Sequence, residues 1–199
     1  MTQAQYIVGV DEVGRGPLAG PVAVCAATVK SDFDFSVFPF LNDSKKLSEK
    51  RREKIFKQAL DLQAAGGLRF AVQFQGADVI DVDGIETAIR RALEGALAGL
   101  AVAEAGTHVF LDGRLKAPRQ FSQETVIGGD ATIPIISLAS VLAKVSRDRL
   151  MVEYCAAYPQ YRFSEHKGYG TAAHIAAIRE HGISPLHRRT FLSRIAPDA

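Results

Sequence analysis

The chain has 199 residues, a formal net charge of +2, 47% hydrophobic residues and 23% charged residues. This composition is ordinary for a globular protein and excludes a disordered or collagen-like chain. No basic N-terminal region precedes a long apolar stretch, and no run approaches the roughly 18 apolar residues of a membrane span, so we expect a cytoplasmic protein without membrane association. Cys25 and Cys155 lie in apolar contexts and are expected to be buried free thiols.

Positive charge is concentrated in two regions. Between Ser44 and Lys57 there are seven lysines and arginines against two glutamates, and the segment from Arg162 to Arg194 is basic and holds four of the five histidines. Basic regions are typical of proteins that bind polyanions. Each run taken alone is also typical of a solvated helix face.

The first predicted element is a short buried strand that ends in two adjacent carboxylates. Ile7, Val8 and Val10 favour a strand, and burying Asp11 and Glu12 beside it costs free energy unless a cation compensates them. Adjacent strand residues point to opposite faces, so both carboxylates can serve one site only where the strand kinks or ends. We interpret this position as a metal site; the alternative is a tight turn with solvated carboxylates.

A glycine-framed arginine follows, Gly14-Arg15-Gly16. Without Cβ atoms the glycine backbone can lie directly against a ligand, and Arg15 supplies a fixed positive charge, so the ligand is expected to be anionic or hydroxyl-rich. The spacing Gly14-x-Gly16-x-x-Ala19 also fits a dinucleotide fingerprint, but that motif must open a helix. Residues 21–29 are apolar and β-branched and predict a second strand instead.

The middle of the chain predicts a helix, a strand and another helix. Ser48 can cap a helix that runs to about Leu60. Residues 68–74 alternate apolar and polar side chains, which predicts a third strand and an antiparallel start to the sheet. Asp83 and Glu86 form a plausible capping box for the next helix.

Two further strands are each predicted to end in an aspartate. Residues 107–113 are a buried strand ending in Asp112, and residues 125–130 repeat this arrangement with Asp130. Strands separated by helices imply parallel neighbours, and the site of an open α/β sheet lies outside the carboxyl ends of its strands.

The remaining chain is predicted to be helical with one glycine-bearing loop. The longest helix runs from Ile136 to about Tyr158, and a short helix capped by Thr171 closes near Gly182. Asp148, flanked by arginines, is interpreted as an ion-pair partner on the helix surface rather than a metal ligand.

Several separate motifs resemble bacterial ribonuclease HII, the type 2 ribonuclease H family. Residues 11–20 (Asp-Glu-Val-Gly-Arg-Gly-Pro-Leu-Ala-Gly) resemble the family's opening active-site segment. Residues 42–47 (Asn-Asp-Ser-Lys-Lys-Leu), 136–148 and 187–191 are also family-like, and they occur in the family's order. The sequence departs from the common family pattern at Gly84, Arg114 and Gly128.

The resemblance implies an α/β fold of the ribonuclease H-like type. The expected core is a mixed five-stranded central sheet, with three antiparallel strands and then parallel strands, flanked by helices and followed by a small C-terminal helical extension. We expect one domain over residues 1–199, with residues of about 160–199 as a helical substrate-binding appendage, and a monomer.

The resemblance also implies an endoribonuclease. Its expected partners are RNA/DNA hybrid and ribonucleotide-containing duplex DNA, cleaved on the 5′ side of an embedded ribonucleotide to give 5′-phosphate and 3′-hydroxyl ends. Oxygen ligands without a zinc-like Cys or His cluster favour Mn²⁺ or Mg²⁺, acting as a pair. The expected catalytic and metal-binding residues are Asp11, Glu12, Asp112 and Asp130.

Substrate contacts are implied in the same way. The backbone of Gly14, Arg15 and Gly16 is placed to read the ribose 2′-hydroxyl, and Tyr169 is expected to stack at the sugar after the cleaved linkage. The expected phosphate contacts are Ser44, Lys45 and Lys46. Two alternatives stay open: a metal-independent ribonuclease that uses two histidines, and a hybrid-binding module with an incomplete site.

Overall fold

A computed structural model describes residues 4–41, 44, 46–193 and 195. The strands are β1 (Tyr6–Val13), β2 (Val22–Lys30), β3 (Arg69–Gln75), β4 (Thr107–Asp112) and β5 (Ser122–Val126). The α-helices are α1 (Glu49–Ala64), α2 (Ala77–Asp83), α3 (Ile85–Leu100), α4 (Gly129–Thr132), α5 (Pro134–Ala157), α6 (Phe163–His166) and α7 (Ala172–His181).

The strands form one mixed sheet in the order β3-β2-β1-β4-β5. β1 pairs antiparallel with β2, and β2 pairs antiparallel with β3. β4 lies parallel to both β1 and β5. The predicted five-stranded sheet, with its antiparallel start and parallel continuation, is confirmed.

Helices cover both faces of the sheet. One face packs against α3 through residues such as Val8, Val10 and Val24, and the other packs against α1 and α5. Because side chains alternate along a strand, Asp11 lies on the α5 side of β1 and Glu12 lies on the α3 side. A third apolar cluster joins the C-terminal helices to the start of β2.

Two predicted helix caps are confirmed. The Ser48 side chain accepts a hydrogen bond from the Arg51 amide, and the Thr171 side chain accepts one from the His174 amide. In both cases the hydroxyl accepts from one of the first amides of the helix, which lack the i−4 carbonyl partner of the later amides.

Two local predictions are wrong. The capping box at Asp83 does not form, because α2 ends at Asp83 and Gly84, with a φ of 80°, separates it from α3. Asp83 pairs instead with Arg91 at 2.6 Å. Asp130 does not end a strand, because β5 stops at Val126 and Asp130 lies in the short helix α4.

Two further expectations concern cysteines and membrane spans. Cys25 is buried and Cys155 is half-buried, and both are free thiols. Among the described residues, no helix combines the length and the apolar composition that crossing a membrane requires.

Candidate active site

Asp11 and Asp112 lie on adjacent parallel strands at their carboxyl ends. The β1–β4 register pairs Val10 with Leu111, so the two aspartates occupy the next position on each strand. Asp11 is 6% exposed, and burial raises its pKa to about 8, with the negative charges of Glu12 and Asp112 adding to the effect. The Ser140 hydroxyl on α5 donates a hydrogen bond to Asp11 and partly opposes this rise.

Glu12 lies one residue before the end of β1 and shares the site electrostatically. Burial raises its pKa, the positive charge of Arg15 opposes the rise, and Asp112 adds to it. The Arg15 Nε donates to Glu12 Oε1 at 3.2 Å, and the same guanidinium pairs with Glu86 at the start of α3. Glu86 therefore holds Arg15 beside the carboxylates, a role that the sequence did not indicate.

Asp130 reaches the same edge from α4. It is 8% exposed, and its backbone amide donates to Asp112 Oδ1 at 3.4 Å. Ser137 Oγ, in the first turn of α5, donates to the Asp130 carbonyl at 2.7 Å. The turn between the two helices thus places Asp130 next to Asp112.

The donor set fits a hard divalent cation, because all four predicted ligands are carboxylates. Within the described part of the chain, no three Asp, Glu, His or Cys side chains are already grouped closely enough to hold a metal ion. The acidic side chains lie at one edge of the sheet without forming a closed coordination shell.

The loop after β1 adopts a conformation that requires glycine at its start. Gly14 has a φ of 89°, and a Cβ there would lie 2.3 Å from the Arg147 Nε. Gly16 and the Arg15 side chain are exposed, and a Cβ on Gly16 would meet no atom within 4 Å. The loop therefore has one side held against the protein and one side open.

Arg147 holds the far end of this loop from inside the protein. It is fully buried in α5, and its guanidinium donates to the carbonyls of Pro21 at 2.8 Å, Ala19 at 3.2 Å and Lys167 at 2.9 Å. The local sequence does not indicate this role, because Arg149, two residues further along the same helix, is an ordinary exposed arginine.

Arg188 holds the near end. It is also fully buried, and it donates to the carbonyls of Gly14 at 2.6 Å, Arg15 at 2.9 Å and Gly20 at 3.0 Å. Burial, followed by repulsion from Arg147, lowers the pKa of Arg188 to about 9. The dipoles of these three loop carbonyls stabilise the buried positive charge of Arg188.

Tyr169 lies on a second loop that docks onto the first. The Gly168 carbonyl accepts the amides of Leu18 at 2.8 Å and Ala19 at 3.3 Å. Gly168 has a φ of 86°, and a Cβ there would lie 2.2 Å from the Ala19 carbonyl oxygen. The Tyr169 side chain remains 43% exposed, so its ring is available beside the glycine loop.

The predicted phosphate contacts lie in different environments. Ser44 is buried, with its Oγ 2.8 Å from the Ser140 Oγ, so it connects through Ser140 to Asp11. Lys46 is exposed, and Lys45 lies outside the described residues. The structure thus adds a link from the Ser44 turn to the carboxylates.

Asp148 and the histidines bear on the alternatives. Asp148 Oδ1 accepts from Lys144 Nζ at 2.8 Å, which confirms an ion pair on the helix, although the partner is not one of the flanking arginines.

His174 is 0% exposed and His187 is 2% exposed. These two buried rings cannot reach a substrate, whereas His181 is exposed and His108 and His166 are half-buried.

The mixed five-stranded sheet with helices on both faces is a ribonuclease H-like fold. Solved structures show the same fold. The ribonuclease H2 from Pyrococcus horikoshii OT3 matches with a TM-score of 0.69 and 23% identity, covering 93% of each chain. Bst-RNase HIII in complex with Mn2+ matches with a TM-score of 0.66 and 17% identity, covering 94% of this chain and 67% of that one.

Sequence comparison identifies the family. The ribonuclease HII family model matches residues 8–194. Ribonuclease HII of Endomicrobium trichonymphae is 44% identical over 186 residues, which cover 93% of this chain and 84% of the relative. The chain belongs to the ribonuclease HII family, and this membership supports ribonuclease H activity.

Proposed function

We propose that this protein cleaves the RNA strand of RNA/DNA hybrids and cuts on the 5′ side of single ribonucleotides in duplex DNA. The observation that carries the proposal is the position of Asp11 and Asp112 on adjacent parallel strands, next to the open side of Gly16 and the exposed Tyr169 ring. Acidic residues for the reaction and candidate readers of the sugar thus lie at the same edge of the sheet.

The proposed metal ligands are Asp11, Glu12, Asp112 and Asp130, for a pair of Mn²⁺ or Mg²⁺ ions. When bound, such a pair supplies an activated water and charge stabilisation at the leaving 3′-oxygen. The Ser140 hydroxyl donates to Asp11 and the Asp130 amide donates to Asp112, and in this proposal these two hydrogen bonds hold carboxylates that would bind the cations. The proposed products carry 5′-phosphate and 3′-hydroxyl ends.

Ribose recognition is assigned to the two docked loops. Arg188 fixes the carbonyls of Gly14 and Arg15, and Gly16 leaves room for close approach of a sugar. A 2′-hydroxyl is the group that distinguishes RNA from DNA at this position. The Tyr169 ring stacks at the sugar that follows the cleaved linkage in this proposal.

The basic segments are assigned to the nucleic-acid backbone. Exposed Lys46, together with Lys45, is proposed to contact phosphate. Ser44 is buried, and its proposed role is to hold this turn in place through its hydrogen bond with Ser140. The C-terminal appendage, residues of about 160–199, contributes Tyr169 and binds substrate in the same proposal.

The test is cleavage of a DNA duplex that carries one ribonucleotide, in Mg²⁺, in Mn²⁺ and in chelator, with end-group analysis. We expect cation-dependent cleavage with 5′-phosphate and 3′-hydroxyl ends. A 2′,3′-cyclic phosphate formed in chelator would indicate the histidine mechanism. Tight duplex binding without cleavage under any condition would indicate the binding module.

A further inference from the structure

Three histidines lie beneath the Tyr169 loop in one aromatic cluster. The rings of His166 and His174 stack with centroids 4.3 Å apart, and the ring of His187 lies 5.2 Å from that of His174. Phe163 packs against all three rings. The cluster is therefore an ordered part of the C-terminal region.

The hydrogen bonds in this cluster all donate in the same sense, from Ser184 through the two histidines to the Tyr169 carbonyl. The Ser184 amide donates to His187 Nδ1 at 2.9 Å, so a neutral His187 carries its proton on Nε2. That Nε2 lies 3.1 Å from His174 Nε2 and donates to it. The proton of His174 is then on Nδ1, which donates to the Tyr169 carbonyl at 2.9 Å.

This series of hydrogen bonds requires neutral His174 and His187, and the burial of both rings favours their neutral forms. Burial, opposed by hydrogen bonds to the backbone, lowers the pKa of His174 to about 4, and burial together with the charge of His174 lowers the pKa of His187 to about 4. Both rings are thus uncharged near neutral pH.

The residue before Tyr169 is fixed in the same way. The Gly168 amide donates to His166 Nδ1 at 3.2 Å, and the Tyr169 amide donates to the His166 carbonyl at 2.9 Å. The main chain at residues 168 and 169 is therefore bonded at every amide and carbonyl, while the Tyr169 ring projects into solvent.

We propose that His174 is a positioning residue that fixes the Tyr169 carbonyl, and through it the exposed ring, by a hydrogen-bond chain that begins at Ser184. Its importance for cleavage rests on the proposed role of Tyr169 at the sugar. The Thr171 amide also donates to the Tyr169 carbonyl, at 2.8 Å. Without the Nδ1 donor the carbonyl keeps only this bond within its own turn and loses the one that ties the turn to helix α7, so the ring is held less firmly beside the Gly14–Gly16 loop.

The activity test is a double-mutant cycle on the single-ribonucleotide duplex. His174→Phe keeps the aromatic packing but removes the donor, and it should lower kcat by roughly ten- to a hundredfold through misplacement of the ring. In a Tyr169→Ala background the same change should cost less than about twofold. His174→Asn, which keeps a donor near the Nδ1 position, should restore most of the rate, and the control His108→Phe, on the distant strand β4, should match the unmodified protein.

A second readout does not depend on cleavage. The chain contains no tryptophan, so Tyr169→Trp introduces a single tryptophan at the loop, which can be excited at wavelengths that tyrosine does not absorb. Adding His174→Phe should lower its anisotropy and increase quenching by acrylamide, whereas adding His108→Phe should change neither. His187→Met, which removes the bond to His174 together with the contacts of Ser184 to His187 Nδ1 but keeps the His174 Nδ1 donor, should act in the same direction if His174→Phe does not fold.

The two readouts separate failure of this proposal from failure of the proposed function. If the unmodified protein does not cleave in any divalent cation, the proposed function is wrong, and the tryptophan measurements still decide the positioning role. Equal losses of kcat with and without Tyr169, or unchanged emission in the folded His174 and His187 variants, would overturn the proposal.

Discussion

Two neighbouring regions of this protein are built in opposite ways. The acidic edge (Asp11, Glu12, Asp112 and Asp130) brings several negative charges together, and burial raises the pKa of Asp11 and Glu12. The loop scaffold (residues 14–21, 167–171 and 184–188) is held by two buried arginines, paired histidines and docked main chain. Under the proposed function, the loop scaffold is the preformed reader of the substrate, and the acidic edge is the part that a bound cation stabilises.

The largest expected effect comes from the acidic edge. Asp112→Asn removes one negative oxygen that the cations require, and cleavage should fall by about a thousandfold or more. Single-turnover cleavage measures this loss, and fluorescence anisotropy of a labelled duplex should show binding within about threefold of the unmodified protein, since the loop scaffold is untouched. A cleavage loss below about tenfold would remove Asp112 from the catalytic set.

Arg188 tests the loop scaffold. Arg188→Met leaves the carbonyls of Gly14, Arg15 and Gly20 without their donor, and we expect a loss of about 3 kcal/mol in the free energy of unfolding. Urea unfolding gives the value. The control Arg189→Met, at the adjacent exposed residue, should change stability by less than about 0.5 kcal/mol. Equal values for the two variants would show that the buried arginine does not stabilise the loop.

The histidine pair predicts an acid-sensitive scaffold. The pKa values of His174 and His187 are about 4 in the folded state and near the ordinary 6.5 when unfolded. The unfolded state therefore binds more protons below pH 6.5, and stability that is complete above pH 6.5 is lost as the pH falls toward 4, by an amount on the order of 3 kcal/mol.

Urea unfolding across this pH range measures the histidine contribution as the difference in stability loss between the unmodified protein and a variant without the two rings. A variant with both His174→Asn and His187→Met lacks the two titrating rings, so its stability should fall less than that of the unmodified protein between pH 6.5 and 4. Parallel pH profiles would show that these histidines do not titrate differently on folding.

The smallest effect concerns the basic surface outside both regions. Duplex binding should weaken with salt, with a logarithmic slope of about −0.9 per neutralised phosphate, and Lys46→Gln should reduce the slope by about one. Lys30→Gln, at the opposite end of the sheet from the carboxylates, is the charge-matched control. If both variants give the slope of the unmodified protein, Lys46 does not contact phosphate.

Local patterns in the sequence predicted much of the fold. Ser48 and Thr171 cap their helices because capping depends on residues three positions apart. β4 ends at Asp112 as expected. The Asp83 capping box failed because a glycine in a left-handed conformation divides two helices there, a feature that the capping pattern does not include.

The supports of the site could not be read from local sequence. Arg147 and Arg188 bind carbonyls that are 20 to 174 residues distant in the chain, and nothing in their neighbours distinguishes a buried arginine from an exposed one. The same holds for Ser140 beneath Asp11. The acidic residues themselves could be proposed, because a carboxylate at the end of an apolar strand is unusual on its own.

In the proposed function the acidic edge binds divalent cations, and thermal unfolding with Mn²⁺ titration measures that binding. An ion that binds only the folded state at 100 times its dissociation constant adds about 2.7 kcal/mol of stability. We predict a rise in Tm for the unmodified protein and for the control Asp61→Asn on exposed α1, and little or no rise for Asp112→Asn. The same rise in all three proteins, or a rise in none, would contradict the account.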